Sequence, residues 1–118
     1  MKNYFSEKEL KCKCGCEQYK FSEGTLYKLN QVREELNEPI KINSGYRCRD
    51  YNIKIGATQT HSSGQAVDIS ASRGYAYRLL ALLLKHGFTG IGIKQKGDGR
   101  FIHADDLDIS LRPTIWSY

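Results

Sequence analysis

The sequence predicts one α+β domain with a largely antiparallel sheet and helices packed on one side of it. The chain has 118 residues, enough for a single ordinary core, so we expect one domain over residues 1–118. Apolar residues recur at helical spacing early in the chain. Later segments alternate between apolar and polar residues and are separated by glycine-containing turns, which predicts strands.

Helices are expected where apolar periodicity coincides with residues that favour helix ends. Ser6 opens a capping box for a short first helix, and Ser22 precedes a second helix. The apolar stripe of the second helix consists of Leu26, Leu29, Val32 and Leu36. A short helix is expected over residues 49–55, and a last helix follows Ser72 and ends at Gly87.

Alternating segments predict strands over residues 40–44, 66–70, 90–93 and 100–104. In the second of these, Val67 would face the core, which turns Asp68 to the opposite side. His103 lies in the last strand, after a turn of hairpin type at residues 96–99. The tail, residues 112–118, is expected to dock on the domain as an extension.

Charge and hydropathy bear on the partners and on the compartment. The net charge is +5, but Lys and Arg are scattered, and no helix-turn-helix, zinc knuckle or RNP pattern accompanies them, so we expect no nucleic-acid partner. No segment approaches the roughly 18 apolar residues of a membrane span, and the first residues do not form a signal peptide. We expect a monomer that is made in the cytoplasm and is not inserted into a membrane.

The four cysteines are Cys12, Cys14, Cys16 and Cys48. Paired zinc ligands normally have two or more residues between them, so the alternation of the first three is unusual for a zinc knuckle. Disulfides are uncommon in chains that begin in a reducing compartment. A structural metal site, disulfides and buried thiols are all compatible with this pattern.

His61, Asp68 and His103 are candidate metal ligands. Gly64 allows a tight turn between His61 and the strand that carries Asp68, and a neighbouring strand can supply His103. Two imidazoles and one carboxylate, with a fourth position for water, are typical of a catalytic zinc site. The alternative is a loop histidine and a strand aspartate that make ordinary hydrogen bonds.

Several phrases occur in an order that is characteristic of a known family. They are Ser44-Gly45-Tyr46-Arg47, Tyr51-Asn52, Gly56-Ala57, His61-x-x-Gly64-x-Ala66-x-Asp68 and His103-x-Asp105. In these motifs, and over nearly its whole length, the chain resembles the M15 peptidase family. That family comprises zinc D-alanyl-D-alanine carboxypeptidases and related phage endolysins of the hedgehog/DD-peptidase fold, and the similarity is most marked for its small phage-type members.

The resemblance implies a role for each matching residue. His61, Asp68 and His103 correspond to the zinc ligands, and Arg47 corresponds to an arginine that points at the substrate carbonyl or carboxylate. Arg47 would then stabilise the oxyanion; the alternative for it is a surface salt bridge. Asp105 is expected to be a hydrogen-bond acceptor behind a ligand, or a structural acid.

The general base is less clearly marked. Some branches of the family place a glutamate shortly before the last histidine, but residues 100–102 contain none here. We predict Asp98 as the catalytic carboxylate because it is the nearest preceding acid, with Asp105 and Asp106 as the other candidates. Small relatives often carry cysteines at both places, so the resemblance also implies that Cys48 lies near the other three, joined to them by a bridge or a shared metal.

The resemblance therefore implies a zinc-dependent peptidase that hydrolyses an amide bond in the peptide moiety of bacterial peptidoglycan, as a D-Ala carboxypeptidase or an endolysin-type endopeptidase. Such a protein would act at the bacterial cell wall after release, in a phage or prophage context. The alternative is a non-catalytic zinc-containing module on the same fold that binds the cell wall or a protein. The missing glutamate before His103 favours that alternative.

Overall fold

The computed structural model of the protein describes residues 2–56 and 59–118, without the side chain of Gln59. Its helices are α1 (Glu7–Leu10), α2 (Glu23–Leu36), α3 (Arg49–Ile55), the short 3-10 helix Gln59–Ser63, and α4 (Arg73–Lys85). Its strands are β1 (Ile42–Ser44), β2 (Ala66–Ser70), β3 (Gly90–Lys94), β4 (Phe101–Asp105) and β5 (Thr114–Ser117). Within the described residues, no helix has the length and apolar character needed to cross a membrane.

The five strands form one sheet in the order β1-β2-β4-β3-β5. The first four strands pair antiparallel, as predicted, but β5 pairs parallel with β3, so the sheet is mixed and the prediction of an antiparallel sheet is wrong for its last strand. The reason lies in the path of the chain. Both the end of β4 and the start of β5 lie beside Gly90, at the beginning of β3. The chain passes that end of β3 and must then run in the same direction as β3.

One face of the sheet packs against the two long helices and forms the core. The sheet contributes the buried residues Ile42, Val67, Ile69, Ile91, Ile102 and Ala104, and the helices contribute Leu29, Val32, Leu36, Ala76, Leu79 and Leu83. Burial of this much apolar surface is the main stabilising contribution. The prediction that Val67 faces the core and Asp68 the other side is confirmed, because Val67 is fully buried in this cluster and Asp68 is not part of it.

Helix ends follow the predicted residues, with one difference. The capping box at Ser6 is present, and the Ser22 hydroxyl accepts a hydrogen bond from the Thr25 N–H at 3.3 Å. Ser72 stands at the N-cap of α4, but its side chain makes no capping bond there. At the other end of α2, Asn37 adopts the left-handed conformation that ends helices.

Gly64 lies in the turn that connects the 3-10 helix to β2. Its φ is +76°, and a Cβ atom here would lie far inside contact distance of the backbone oxygen of Lys20. The Gly64 carbonyl also accepts a hydrogen bond from the Ser22 N–H at 2.7 Å. The turn can therefore approach residues 20–22 only because this position has no side chain.

We expect Gly64→Ala to destabilise the protein more than Gly97→Ala. Gly97 has a similar φ, +71°, but nothing lies within 4 Å of its added Cβ, so it isolates the backbone strain. That strain costs about 1–2 kcal/mol, and the collision with Lys20 should add about 1–3 kcal/mol. Urea unfolding of the two variants measures the difference. Equal losses of unfolding free energy in the two variants would mean that residues 20–22 shift without an energetic cost.

Candidate metal centre

Three elements bring the predicted ligands to the sheet face opposite the core. Asp68 on β2 and His103 on β4 are direct partners in the antiparallel register. His61 belongs to the 3-10 helix and reaches the same face from the side. One nitrogen of each histidine and one oxygen of Asp68 lie within 4.8 Å of one another. Both histidines are 2% exposed, so solvent reaches the group from one direction.

Asp68 is the centre of this group. Its Oδ1 lies 3.3 Å from His61 Nε2 and 3.1 Å from His103 Nδ1, and the two imidazole centroids are 5.2 Å apart. Burial raises the pKa of the Asp68 carboxyl, but the hydrogen bonds from His103 and His61 outweigh burial and hold that pKa well below its usual range. Asp68 is therefore a carboxylate at neutral pH, the form that binds a metal.

Each histidine uses its other ring nitrogen in a hydrogen bond that orients its ring. His61 Nδ1 donates to the carbonyl oxygen of Gly45 at 2.8 Å, so that Nε2 is the nitrogen that faces Asp68. His103 Nε2 donates to Asp105 Oδ2 at 2.7 Å, which leaves Nδ1 facing Asp68. Such outer hydrogen bonds orient metal-binding histidines and raise their basicity. His61 Nε2 and His103 Nδ1 thus both face Asp68.

Asp105 is a fully buried carboxylate that connects His103 to Arg112. Arg112 donates from Nε to Asp105 Oδ1 and from a terminal nitrogen to Oδ2, both at 2.8 Å, in a bidentate pair. Burial raises the pKa of Asp105, but the hydrogen bonds from Arg112 and His103 outweigh it and hold that pKa well below its usual range. Asp105 therefore accepts hydrogen bonds from both His103 and Arg112.

Sequence reasoning did not identify Arg112 and Trp116 as parts of the site. The Trp116 ring lies 5.1 Å from the His103 ring, and the Arg112 guanidinium lies 5.2 Å from the Trp116 ring. A Cβ on Gly92 would lie 2.5 Å from Trp116 Nε1, and one on Gly90 would collide with Arg112. Glycine at alternate positions of β3 therefore makes room for both side chains. The Gly-x-Gly phrase and the alternation of residues 114–118 were the available signals.

A cleft of about 630 Å³ opens in front of the three ligands, a volume typical of small-ligand sites. It is lined by Arg47, Gly56, Thr60, His61, Asp68, Phe101, His103, Ile109, Leu111, Arg112, Trp116 and Tyr118. The predicted residue Arg47 is therefore brought together with the ligands. A terminal side-chain nitrogen of Arg47 lies 3.8 Å from Asp68 Oδ2. The backbone N–H of Arg47 donates to the backbone carbonyl of His61 at 3.2 Å. The Nε of Arg47 is buried and has no hydrogen-bond partner among the described residues.

The structure does not bring Asp98 to this cleft. Asp98 lies in the turn between β3 and β4 and lines a separate cleft with Ser70 and Tyr75. Asp106 also points elsewhere, because its carboxylate accepts from Thr25 and Lys28 at 2.7 and 2.9 Å. Among the described lining residues, Asp68 is the only carboxylate.

The three side chains fit a catalytic zinc ion. Two neutral imidazoles and one carboxylate are a common protein ligand set for zinc, and three protein ligands leave a coordination position open. The outer hydrogen bonds of His61 and His103 present the correct nitrogens, and the cleft provides access to the open side. A closed structural site would need a fourth protein ligand, and the described residues of this group supply three.

Two comparisons with known proteins bear on this site. The family model for peptidase M15 matches residues 3–105. That span contains the three candidate ligands and Arg47, and it ends at Asp105, before Arg112 and Trp116. No curated protein matches the chain.

We expect Asp105→Asn to weaken zinc binding by about 10- to 100-fold. The substitution removes the negative charge that accepts from His103 and pairs with Arg112. Asp106→Asn is the matched control, since its carboxylate contacts Thr25 and Lys28 instead of a ligand. Competition with a zinc chelator measures both affinities. Equal affinities in the two variants would contradict a role of Asp105 in orienting His103.

Proposed function

This chain belongs to the peptidase M15 family, and we propose that it is a zinc-dependent metallopeptidase that hydrolyses an amide bond in the peptide moiety of bacterial peptidoglycan. The observation that carries the proposal is the convergence of His61, Asp68 and His103 at the base of an accessible cleft. We also propose that the mixed α+β architecture is the hedgehog/DD-peptidase fold. The family supports a peptidase acting on substrates of peptidoglycan type, and the zinc and the three ligands are our assignment.

His61 Nε2, Asp68 and His103 Nδ1 would hold the zinc ion. When bound, zinc would polarise the carbonyl of the amide and lower the pKa of water. The protein's contribution is to orient both histidines, so that one ring nitrogen of each faces the position of the ion. Gly45 does this for His61 through its carbonyl, and Asp105 does it for His103 through its carboxylate.

Arg47 is the residue we assign to the developing oxyanion. It lines the cleft next to Asp68, and its buried Nε lacks a hydrogen-bond partner within the described part of the chain. An unpaired buried donor is costly and is usually explained by function. A substrate oxygen that gains negative charge would satisfy this guanidinium and be stabilised by it.

The lining of the cleft suits a peptide that carries carboxylates. Arg47 contributes a guanidinium group beside the carboxylate of Asp68, whereas the guanidinium of Arg112 is already paired with Asp105. Phe101, Ile109 and other apolar residues line the remainder. The net charge of +5 also favours an anionic polymer such as the cell wall. Either D-Ala carboxypeptidase or endolysin-type endopeptidase activity is consistent with this lining. We propose a monomeric lysin of phage or prophage context that acts at the wall after its release.

Proton transfer is the step that the site residues explain least. The general-base role predicted for Asp98 stays a prediction, and its place in a separate cleft does not support that role. Asp105 is fully buried and already paired with Arg112 and His103. The lack of a second carboxylate in the described lining favours one alternative: a zinc-containing module on the same fold that binds cell wall or a protein without cleaving it.

We expect the zinc-loaded protein to release new peptide fragments from purified bacterial sacculi, and mass spectrometry of these fragments identifies the bond that is cut. The double variant His61→Ala/His103→Ala should release none, because it removes two of three ligands. His86→Ala is the matched control, since His86 contacts Glu35 at 2.9 Å, away from the cleft.

The same experiment separates the two functions. Sacculi that bind the zinc-loaded protein but yield no new fragments across several cross-bridge types would overturn the peptidase proposal and favour the binding module. Fragments released equally by the double histidine variant would contradict the assignment of the ligands.

We expect Arg47→Ala to keep its zinc and its fold while turnover of sacculi falls by about 100- to 1000-fold, the usual cost of losing one oxyanion donor. Arg49→Ala is the control, because Arg49 is an exposed residue at the start of α3 and does not line the cleft. Zinc content and turnover are measured on the same preparations. Normal turnover of Arg47→Ala would exclude it from catalysis.

A further inference from the structure

A second cluster of metal-binding side chains lies outside the cleft. The sulfur atoms of Cys12, Cys14, Cys16 and Cys48 all lie within 4.8 Å of one another, although Cys48 is far from the others in sequence. The Cys12 and Cys14 sulfurs are 3.5 Å apart, and the Cys14 and Cys48 sulfurs are 3.7 Å apart. The expectation that Cys48 lies near the other three is therefore confirmed.

Two of the sulfur separations match the edge of a tetrahedral metal site. Zinc binds thiolate sulfur at about 2.3 Å, so the edges of a four-sulfur tetrahedron measure about 3.8 Å. The separations of 3.5 and 3.7 Å agree with that edge. Two disulfides would instead require pairs of sulfurs about 2.05 Å apart, and all four cysteines are unbridged.

Backbone bends overcome the unusual alternation of the first three cysteines. In an extended segment, alternate side chains leave the chain at wide intervals along one face. Here the chain bends at residues 13–16, and Gly15 adopts a φ of +98°, so the alternating sulfurs converge. The Cys12 N–H donates to the Gln18 carbonyl at 2.9 Å and closes the loop. The expectation of two or more residues between paired zinc ligands applies to regular turns. The bends in this loop bring ligands at alternate positions together instead.

The surroundings of the sulfurs suit a bound cation. The Cys48 N–H donates to the Cys12 sulfur at 3.3 Å, a contact that stabilises a thiolate. Cys12 and Cys48 are buried with Tyr46, whereas Cys14 and Cys16 are exposed. One side of the site is thus shielded by apolar groups, and the other side lets an ion enter.

We propose that Cys12, Cys14, Cys16 and Cys48 bind one structural zinc ion, distinct from the ion at His61, Asp68 and His103. Four thiolate ligands leave no position for water or substrate, so this ion stabilises the fold and takes no part in hydrolysis. A tetrahedral set of four soft ligands selects zinc or iron–sulfur chemistry, and four thiolates around a single ion are a common ligand set of structural zinc.

The second ion would support the wall of the cleft. It joins the loop after α1 to Cys48, whose neighbour Arg47 lines the cleft. The same contact region includes the Tyr46 N–H, which donates to the Leu10 carbonyl at 2.7 Å, and Gly45, whose carbonyl holds His61. Loss of the ion should therefore loosen both Arg47 and the acceptor of His61, without removing any ligand of the first centre.

Metal analysis of protein purified under reducing conditions tests the proposal. We expect two equivalents of zinc in the wild type, one at each cluster, and one equivalent in either Cys14→Ser/Cys16→Ser or His61→Ala/His103→Ala. Serine at the two exposed positions costs little packing. Cobalt replacement adds a spectroscopic readout, because a thiolate-to-cobalt absorption band should persist in the histidine variant and disappear in the cysteine variant.

Each outcome decides the question, and the result is independent of whether the protein is a peptidase. One equivalent in the wild type that is lost only in the histidine variant would overturn the proposal, whether the four thiols are free or oxidised. Iron in place of zinc would overturn the choice of metal. If the cysteine variant fails to fold, the cobalt band of the histidine variant still decides, since its absence would contradict the four-thiolate site.

Discussion

The register between β2 and β4 is the constraint on which the candidate centre depends. It places Asp68 directly opposite His103 on the face away from the core, while Val67, Ile69 and Ile102 fill the core on the other face. Because side chains alternate, a slip of one residue would bury the carboxylate and expose the apolar residues. The same apolar contacts that stabilise the sheet therefore hold the two ligands together.

The pairing of β2 with β4 does not by itself determine which ring nitrogen of each histidine faces Asp68. The acceptors Gly45 and Asp105 determine it, because each binds the opposite ring nitrogen. Asp105 in turn is a buried charge that would be costly without Arg112. Gly90 leaves room for this pair, and Gly92 leaves room for Trp116.

The two candidate metal clusters differ in their ligands and in their access to solvent. The centre on the sheet has three protein ligands and an open cleft, which suits chemistry on a bound substrate. The four cysteines surround their own centre and suit a structural ion. Residues 45–48 lie between the two, with Gly45 and Arg47 turned to the cleft and Cys48 to the second cluster. A short segment thus contacts both clusters.

Periodicity was sufficient to predict α2, α4, the strands β2 and β4 and the outward direction of Asp68, because these features follow from local alternation. The order of the motifs, through the family resemblance, named His61, Asp68 and His103 as candidate ligands. The parallel pairing of β5, the bond of Arg112 to Asp105 and the distance of Asp98 from the cleft depend on contacts between segments far apart in sequence. No local pattern encodes these contacts. They form once packing of the core has positioned the sheet. The buried charged groups and carbonyls of the connecting loops are then hydrogen-bonded to neighbouring segments.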